Sequence, residues 1–371
     1  MPAAAQRHDT SPGRDRYRRG MERTILVTGG AGFIGSALVR RLIDRTEYGI
    51  VTVDKLTYAG HEENLGHARN HPRHRLEVVD IVDSGEVERV FTTYKPSAVI
   101  HLAAESHVDR SIDGPAQFVR TNVQGTFTLL EAARKYWEGL SGDEWEAFRF
   151  IHVSTDEVFG SLGEEGIFTE ETPYDPRSPY SASKAAADHL ARSYFHTYEL
   201  PVVITNCSNN YGPYQFPEKL IPHTIQRALA REEIPVYGRG DNVRDWLHVD
   251  DHVEALQAVL EGGRIGETYA IGGRAERRNI EVVTTVCEAL EELLPDRGPF
   301  ADLITFVDDR PGHDFRYAID PTKVENELGW YPRYMFETGI RQTVEWYLDN
   351  QEWCEQVARK ADYRLQRLGS G

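Results

Sequence analysis

The chain has 371 residues, 40% of them hydrophobic, and a formal net charge of -17. This length can bury a full core as one large or two modest domains. The acidic balance excludes nucleic acid as the main partner, because phosphate backbones are held by basic faces.

No stretch approaches the roughly 18 consecutive apolar residues of a membrane span. Cys207, Cys287 and Cys354 are scattered and odd in number, as expected of free thiols in a reducing, cytoplasmic compartment. Residues 1–22 read as a disordered arm. The first twenty hold five Arg against two Asp and lack the apolar core of a secretory signal. The periodic pattern begins after Met21, so a start there fits the sequence. The tail Gly369 to Gly371 is expected to fray.

From there the elements alternate. TILVTGG is a strand ending in glycines, and AGFIGSALVRRLI has helical periodicity. YGIVTVDKL and LEVVDI are the second and third strands. EVERVFTTY is helical, SAVIHLAAE is a fourth strand, and Ala116 to Tyr136 reads as one long helix. FRFIHVST is a fifth strand, Tyr180 to Tyr198 a helix, and LPVVITNCSNNYG a sixth strand. Apolar strands alternating with helices predict an α/β fold, a Rossmann-type doubly wound parallel sheet. The alternation breaks near Asn206. Shorter helices follow, such as Val282 to Leu294, and DWLHVDDHVEAL and ETYAIGG read as returns to the sheet. The predicted organisation is a dinucleotide-binding domain, 23–205 plus about 248–275, and a smaller, largely C-terminal substrate-binding region, about 206–247 plus 276–360.

Gly29-Gly30-Ala31-Gly32-Phe33-Ile34-Gly35 joins the first strand to the first helix. Such glycines let the backbone approach a pyrophosphate, which the helix N-terminus then meets with free N–H groups. Asp54 ends the second strand, where an acid accepts ribose hydroxyls and repels a 2′-phosphate, so NAD is expected rather than NADP. Lys55 follows it. Asp80 and Ile81 close the third strand, where an adenine edge would lie, and Ala103 lies near the end of the fourth.

Tyr180 and Lys184 stand at i and i+4 near the start of a helix, so phenol and ammonium can point into one cleft. A nearby lysine and a positive nicotinamide ring would both favour the phenolate over a phenol that ordinarily titrates near ~10.

Together with VDKLTYAG, LAAESHVDRSI, STDEVFG, NCSNNYGPYQFPEKLIP, NVRDWLHVDDH and RPGHD, these motifs resemble the dTDP-glucose 4,6-dehydratases, a family of the extended short-chain dehydrogenase/reductase superfamily. The likeness runs from about Thr24 to the 340s. It implies that Tyr180, aided by Thr155, takes the proton of the sugar 4-hydroxyl while hydride passes from C4 to NAD. Glu157 is then the base that removes the C5 proton, and protonated Asp156 is the acid for the departing 6-hydroxyl. Hydride returns to C6, and NAD is regenerated. A 4-epimerase has no use for two adjacent acids. The pair is expected to be shielded, since water would screen the split in pKa that the roles demand.

The resemblance also implies Arg244, Lys219 and Arg310 as cations for a nucleotide-sugar diphosphate. Asn209 and Asn279 are polar contacts, Tyr237 lies against the base, and His313 approaches the phosphates or base edge. Glu105 and Ser106 lie near the sugar hydroxyls. Arg110 is structural or at a subunit contact. The helices at 116–136 and 180–198 would build a homodimer. Two competing readings are a 4-epimerase or dehydratase of another nucleotide sugar, such as UDP-N-acetylglucosamine, and a cofactor-sensing binding protein without turnover. His67, His71 and His74 read as surface histidines and not as a metal site, because Pro72 breaks their helix and no further ligand follows.

Overall fold

A computed structural model describes residues 23–361, so the expected N-terminal arm and frayed tail lie outside the described residues. In chain order the first half runs β1 (Thr24–Thr28), α1 (Phe33–Arg45), β2 (Gly49–Asp54), β3 (His74–Val78), α2 (Ser84–Tyr94), β4 (Ala98–His101), α3 (Val108–Asp113) and α4 (Pro115–Phe118). It continues with α5 (Thr126–Glu138), α6 (Gly142–Ala147), β5 (Arg149–Thr155), α7 (Pro179–Tyr198) and β6 (Val202–Cys207). Then come β7 (Asn209–Tyr211), α8 (Leu220–Ala230), β8 (Ile234–Tyr237), β9 (Val243–His248), α9 (Val249–Gly262) and β10 (Thr268–Ile271). The last elements are β11 (Glu276–Arg278), α10 (Asn279–Leu293), β12 (Ile304–Val307), α11 (Thr322–Leu328), α12 (Phe336–Asp349) and α13 (Gln351–Lys360).

Seven strands form one parallel sheet in the order β10-β6-β5-β4-β1-β2-β3. Side chains alternate across it, as a period of two requires. Ile25 and Val27 pack on one face with Leu38 and Leu42 of α1 and Leu256 of α9. Leu26 packs on the other with Val90 of α2, Leu129 of α5 and Ala191 of α7. A second core gathers Phe216, Ile225, Val236, Val286, Ile340 and Tyr347 around α8, β8, α10 and α12. Chain order reverses between β1 and β4, and in open α/β sheets ligands bind beyond the strand ends at such a point.

Several sequence expectations need correction. The segment DWLHVDDHVEAL does not return to the main sheet. Its strand, β9, lies between β11 and β7 in a separate three-stranded sheet, and only β10 rejoins. A strand's partner depends on long-range register, which periodicity does not carry. The expected helix 116–136 is interrupted by π-type turns over Val119–Gly125. β3 begins and ends early, so Asp80 and Ile81 fall in the turn beyond it, where Asp80 Oδ1 accepts from Val82 N at 3.2 Å. His74 is buried rather than on the surface, with Nε2 3.0 Å from Thr52 Oγ1. His67 is exposed and faces Asp44 at 2.8 Å. No cluster of three or more metal-capable side chains occurs among the described residues.

Candidate active site

β1 delivers the chain to Gly29, whose φ of 67° suits glycine. A Cβ at Gly29 would meet Ala103 N at 2.7 Å, and one at Gly35 would meet Gly29 O at 2.1 Å. The loop is therefore packed to backbone contact. Gly32 opens α1 without a side-chain cap, and the first bond inside the helix is Ser36 N to Gly32 O at 3.0 Å. The N–H groups of Phe33, Ile34 and Gly35 thus lack helical acceptors and can hold an anion. Asp54 anchors the far side: Oδ2 accepts from Ala31 N at 3.0 Å and Oδ1 from Leu56 N at 2.9 Å. Burial raises its carboxyl pKa, against the pull of those two bonds. Lys55 reaches Thr121 Oγ1 at 3.3 Å and Glu105 at 3.4 Å.

The same cavity is lined by Thr155, Asp156 and Glu157 from the end of β5, and by Tyr180 and Lys184 from the start of α7. Ser178 caps α7, bonded to Ser181 N at 3.0 Å, with Pro179 at the first helical position, so the entry of this helix is fixed locally. Asp156 is 1% exposed, and its Oδ2 has no partner among the described residues. Burial raises its carboxyl well above the usual value, and the charges of Glu157 and Asp245 add to that. Burial also raises Glu157, but Arg310, Arg244 and Lys219 all pull it back. Both carboxyls are therefore raised, but unequally: Asp156 well above its usual value, Glu157 with three cations opposing the rise.

Burial pushes the Tyr180 phenol well above its usual value; Glu157 adds to this and a hydrogen bond with Thr155 opposes it. Lys184 lines this cavity together with Tyr180. Its Nζ donates to Val153 O at 2.8 Å, and its pKa is lowered by burial against the charge of Asp188. That bond uses one of the three ammonium donors and leaves two for a ligand in the cavity.

A family model described as GDP-mannose 4,6 dehydratase matches residues 26–343. The chain is 57% identical over 354 residues to the dTDP-glucose 4,6-dehydratase of Neisseria meningitidis serogroup B, covering 94% of this chain and 99% of that one. It is 54% identical over 358 residues to an Escherichia coli protein of the same name, covering 93% and 99%. The crystal structure of a Streptomyces venezuelae dTDP-glucose 4,6-dehydratase with NAD bound superposes with a TM-score of 0.83 at 45% identity, covering 90% and 99%. The chain belongs to the dTDP-glucose 4,6-dehydratase family.

Within this family fold the remaining predicted residues divide. Ile81, Ala103, Glu105, Ser106, Asn209 and Lys219 line the cavity, Lys219 Nζ donating to Ser106 O at 3.0 Å and Asn209 Oδ1 buried without a partner among the described residues. Asp80, Tyr237, Arg244, Asn279, Arg310 and His313 do not line it. Arg244 is buried, donates to Asp314 O at 2.9 Å and lies over the Tyr317 ring at 4.1 Å. Asn279 begins α10 and donates its N–H to Asn242 O at 2.9 Å. Burial, Arg310 and Arg244 bring the His313 imidazole down to about 4. Arg110 contacts Glu218 at 3.0 Å and lies over Tyr58 at 3.9 Å, both within this chain.

Sequence reasoning missed three residues. Cys207 lines the cavity, its thiol pushed up to about 12 chiefly by burial. Asp188 continues the four-residue spacing of Tyr180 and Lys184, a signal open to inspection. Asp109 has no such signal, because its partners lie more than a hundred positions away.

Proposed function

We propose that the chain converts dTDP-glucose to dTDP-4-keto-6-deoxyglucose and water. The observation that carries this reading is the unequal acid pair, buried Asp156 and half-buried Glu157, lining one cavity with Tyr180 and the glycine loop. NAD suits the cradle: the uncapped N-terminus of α1 faces a loop with no room for a Cβ at Gly29 or Gly35, and Asp54 stands beside it. Bound there, NAD supplies an acceptor for the C4 hydride and returns a hydride to C6.

The chain's own residues move the protons. Tyr180 Oη, with Thr155 Oγ1 beside it, takes the proton of the 4-hydroxyl. Glu157 removes the C5 proton that the new ketone has made acidic, and the three cations that favour its anion suit it to that task. Asp156 gives its proton to the 6-hydroxyl, which departs as water. Glu157 then returns a proton to C5. Two neighbouring carboxyls with pKa values driven apart divide acid and base work in this way. Arg244, Lys219 and Arg310 serve the diphosphate, Asn209 and Asn279 the polar groups of the substrate, and Tyr237 and His313 the base end. In this reading 23–205 plus about 248–275 carry NAD, and about 206–247 plus 276–360 carry the nucleotide sugar.

A homodimer through the helices of 115–138 and 179–198 belongs to the same proposal. Val119 and Phe127 stay 57% and 47% exposed on the first of these stretches. A cytoplasmic site of action is supported by three free, buried cysteines, and no helix among the described residues is long and apolar enough to cross a membrane.

The test is incubation of the purified protein with dTDP-glucose and, separately, with UDP-sugars, followed by the alkali-induced absorbance of a 4-keto-6-deoxy product. Product from dTDP-glucose is expected. Product from a UDP-sugar alone would reassign the substrate, and product from neither would point to a binding protein.

A further inference from the structure

One carboxylate outside the acid pair reaches across the molecule to two groups at once. Asp109 sits in the first turn of α3, three residues past Ser106, and is 6% exposed. Its Oδ1 accepts from Arg310 Nη1 at 2.7 Å, and its Oδ2 accepts from Tyr237 Oη at 2.8 Å. The two partners arrive together. β8 and β12 pair in parallel with Val307 opposite Tyr237, and Gly238 N donates to Val307 O at 2.8 Å. Tyr237 is therefore the last residue of β8, and Arg310 lies just past the end of β12. The loop carrying Arg310 is held by His313 Nδ1 on Asp309 Oδ1 at 2.6 Å, with the His313 ring edge-on to Tyr237 at 5.8 Å. On its other side Arg310 exerts the strongest of the charges that favour the Glu157 anion.

We propose that Asp109 is a positioning residue for the sugar nucleotide, setting Arg310 and Tyr237 at a fixed separation on its two oxygens. The inference rests on the reading of Arg310 as a diphosphate group and Tyr237 as a base contact. Arginine and tyrosine lose rotamer freedom when they close on a ligand, and a carboxylate that already holds both removes part of that cost. Asp109 engages only one edge of the guanidinium. Arg310 Nε is buried without a partner among the described residues, so it is left for a phosphate oxygen. Thus a residue that follows β4, beside the sugar-facing Glu105 and Ser106, governs the grip on the far end of the substrate.

The experiment compares Asp109→Asn, Arg310→Ala and Tyr237→Phe in the full chain with NAD bound. It reads KM and kcat for dTDP-glucose, inhibition by dTDP, NAD content and melting temperature. Asp109→Asn is expected to raise KM and the dTDP inhibition constant about tenfold, the size of a lost hydrogen bond to a charged group. Its kcat and NAD content should be preserved, the pattern of lost uniform binding. A latch that only stabilises the fold would lower the melting temperature and leave KM alone, and that result would overturn the proposal. If Arg310→Ala raises KM and Asp109→Asn does not, the substrate reading stands and this inference falls. If Arg310→Ala leaves KM unchanged, the substrate reading itself fails and takes the inference with it. Should Asp109→Asn not fold, Tyr237→Phe keeps the ring and removes one bond. It is expected to raise KM about threefold, and an unchanged KM would again overturn the proposal.

Discussion

Asp188 accepts a hydrogen bond from the Ser154 hydroxyl at 2.8 Å and so ties α7 to the end of β5. Its carboxylate also meets His152 Nε2 at 2.9 Å, Tyr174 Oη at 2.8 Å and Asn206 Nδ2 at 3.5 Å, while Asn206 Nδ2 donates to Thr155 O at 3.0 Å. Tyr180, Lys184 and Asp188 lie on one helical stripe. One buried anion therefore sets the register between the phenol and ammonium and the strand that carries the acids. Burial alone would raise the Asp188 carboxyl, but His152, Lys184 and Ser154 outweigh it and hold it below the usual range.

Asp188→Asn is expected to cost about 2–4 kcal/mol of stability, as when one partner of a buried ionic network is lost. It should also move the alkaline limb of the rate profile. The Lys184 pKa is already lowered by burial and is held up by Asp188. Without that anion it falls further, and the ammonium is lost at lower pH. Melting curves and a pH–rate profile separate the two effects; an unmoved alkaline limb with a lowered melting temperature would leave Asp188 a stabilising role only.

Asp156→Asn is expected to slow elimination about 100-fold or more, the lower end of what a general acid contributes. Oxidation at C4 should survive, so reduced cofactor should accumulate and show in the near-ultraviolet. The same change bears on stability. The folded carboxyl has its pKa raised above the unfolded value of about 4. Its contribution is complete below that unfolded value and is lost as pH rises through the folded one. Asparagine has no such loss, so the variant should melt above the parent at pH 8, by roughly 1 °C per kcal/mol for so long a chain. The gap should close towards pH 4. Dehydration at the parent rate would mean that another acid protonates the leaving group.

What could be read in advance follows the range of the interaction. The glycine loop, the Thr155-Asp156-Glu157 run and the Tyr180-Lys184 pair are patterns within a few residues, and the structure brings all three to one cavity. The alternation of apolar strands and helices likewise marks the parallel sheet. The failures are long-range. β9 chooses β7 and β11 through register with distant strands, and His74 is buried with Thr52 of the neighbouring strand as its partner. The Lys184 spacing gives its helix face, while the Val153 carbonyl that also accepts from it lies on another element. Asp109 and Asp188 look like ordinary helical acids until the fold supplies Arg310, Tyr237, His152 and Ser154.

Asp54→Ala should strip the protein of NAD as purified, with occupancy falling about tenfold or more. Two effects add. The ribose loses its acceptor, and the loop loses the carboxylate that holds Ala31 N and Leu56 N. Asp54→Asn retains one oxygen, so it should keep more cofactor than alanine. NAD content after denaturation and chromatography checks the order, and an unaltered content in the alanine variant would remove Asp54 from the ribose.

The exposed stripe of α5 and the turns before it carries Arg120, Gln124 and Phe127, the spacing of a helix seam. Phe127 is 47% exposed on it, and Glu131 and Arg134 beyond are held by Tyr194 and Tyr198 of α7. The two helices thus present one joined surface. A two-fold axis would bury each Phe127 once per subunit and count it twice. At about 1.5–3 kcal/mol for burying a fully exposed ring, and with about half of each ring already covered, the pair would contribute about 1.5–3 kcal/mol to association. Phe127→Asp should therefore weaken such a dimer by about tenfold to 100-fold. Light scattering across a dilution series should then show dissociation at higher concentration than in the parent, while NAD content stays the same, since Phe127 does not line the cofactor cavity. A variant that keeps the parent mass at every dilution would place any dimer contact on another face.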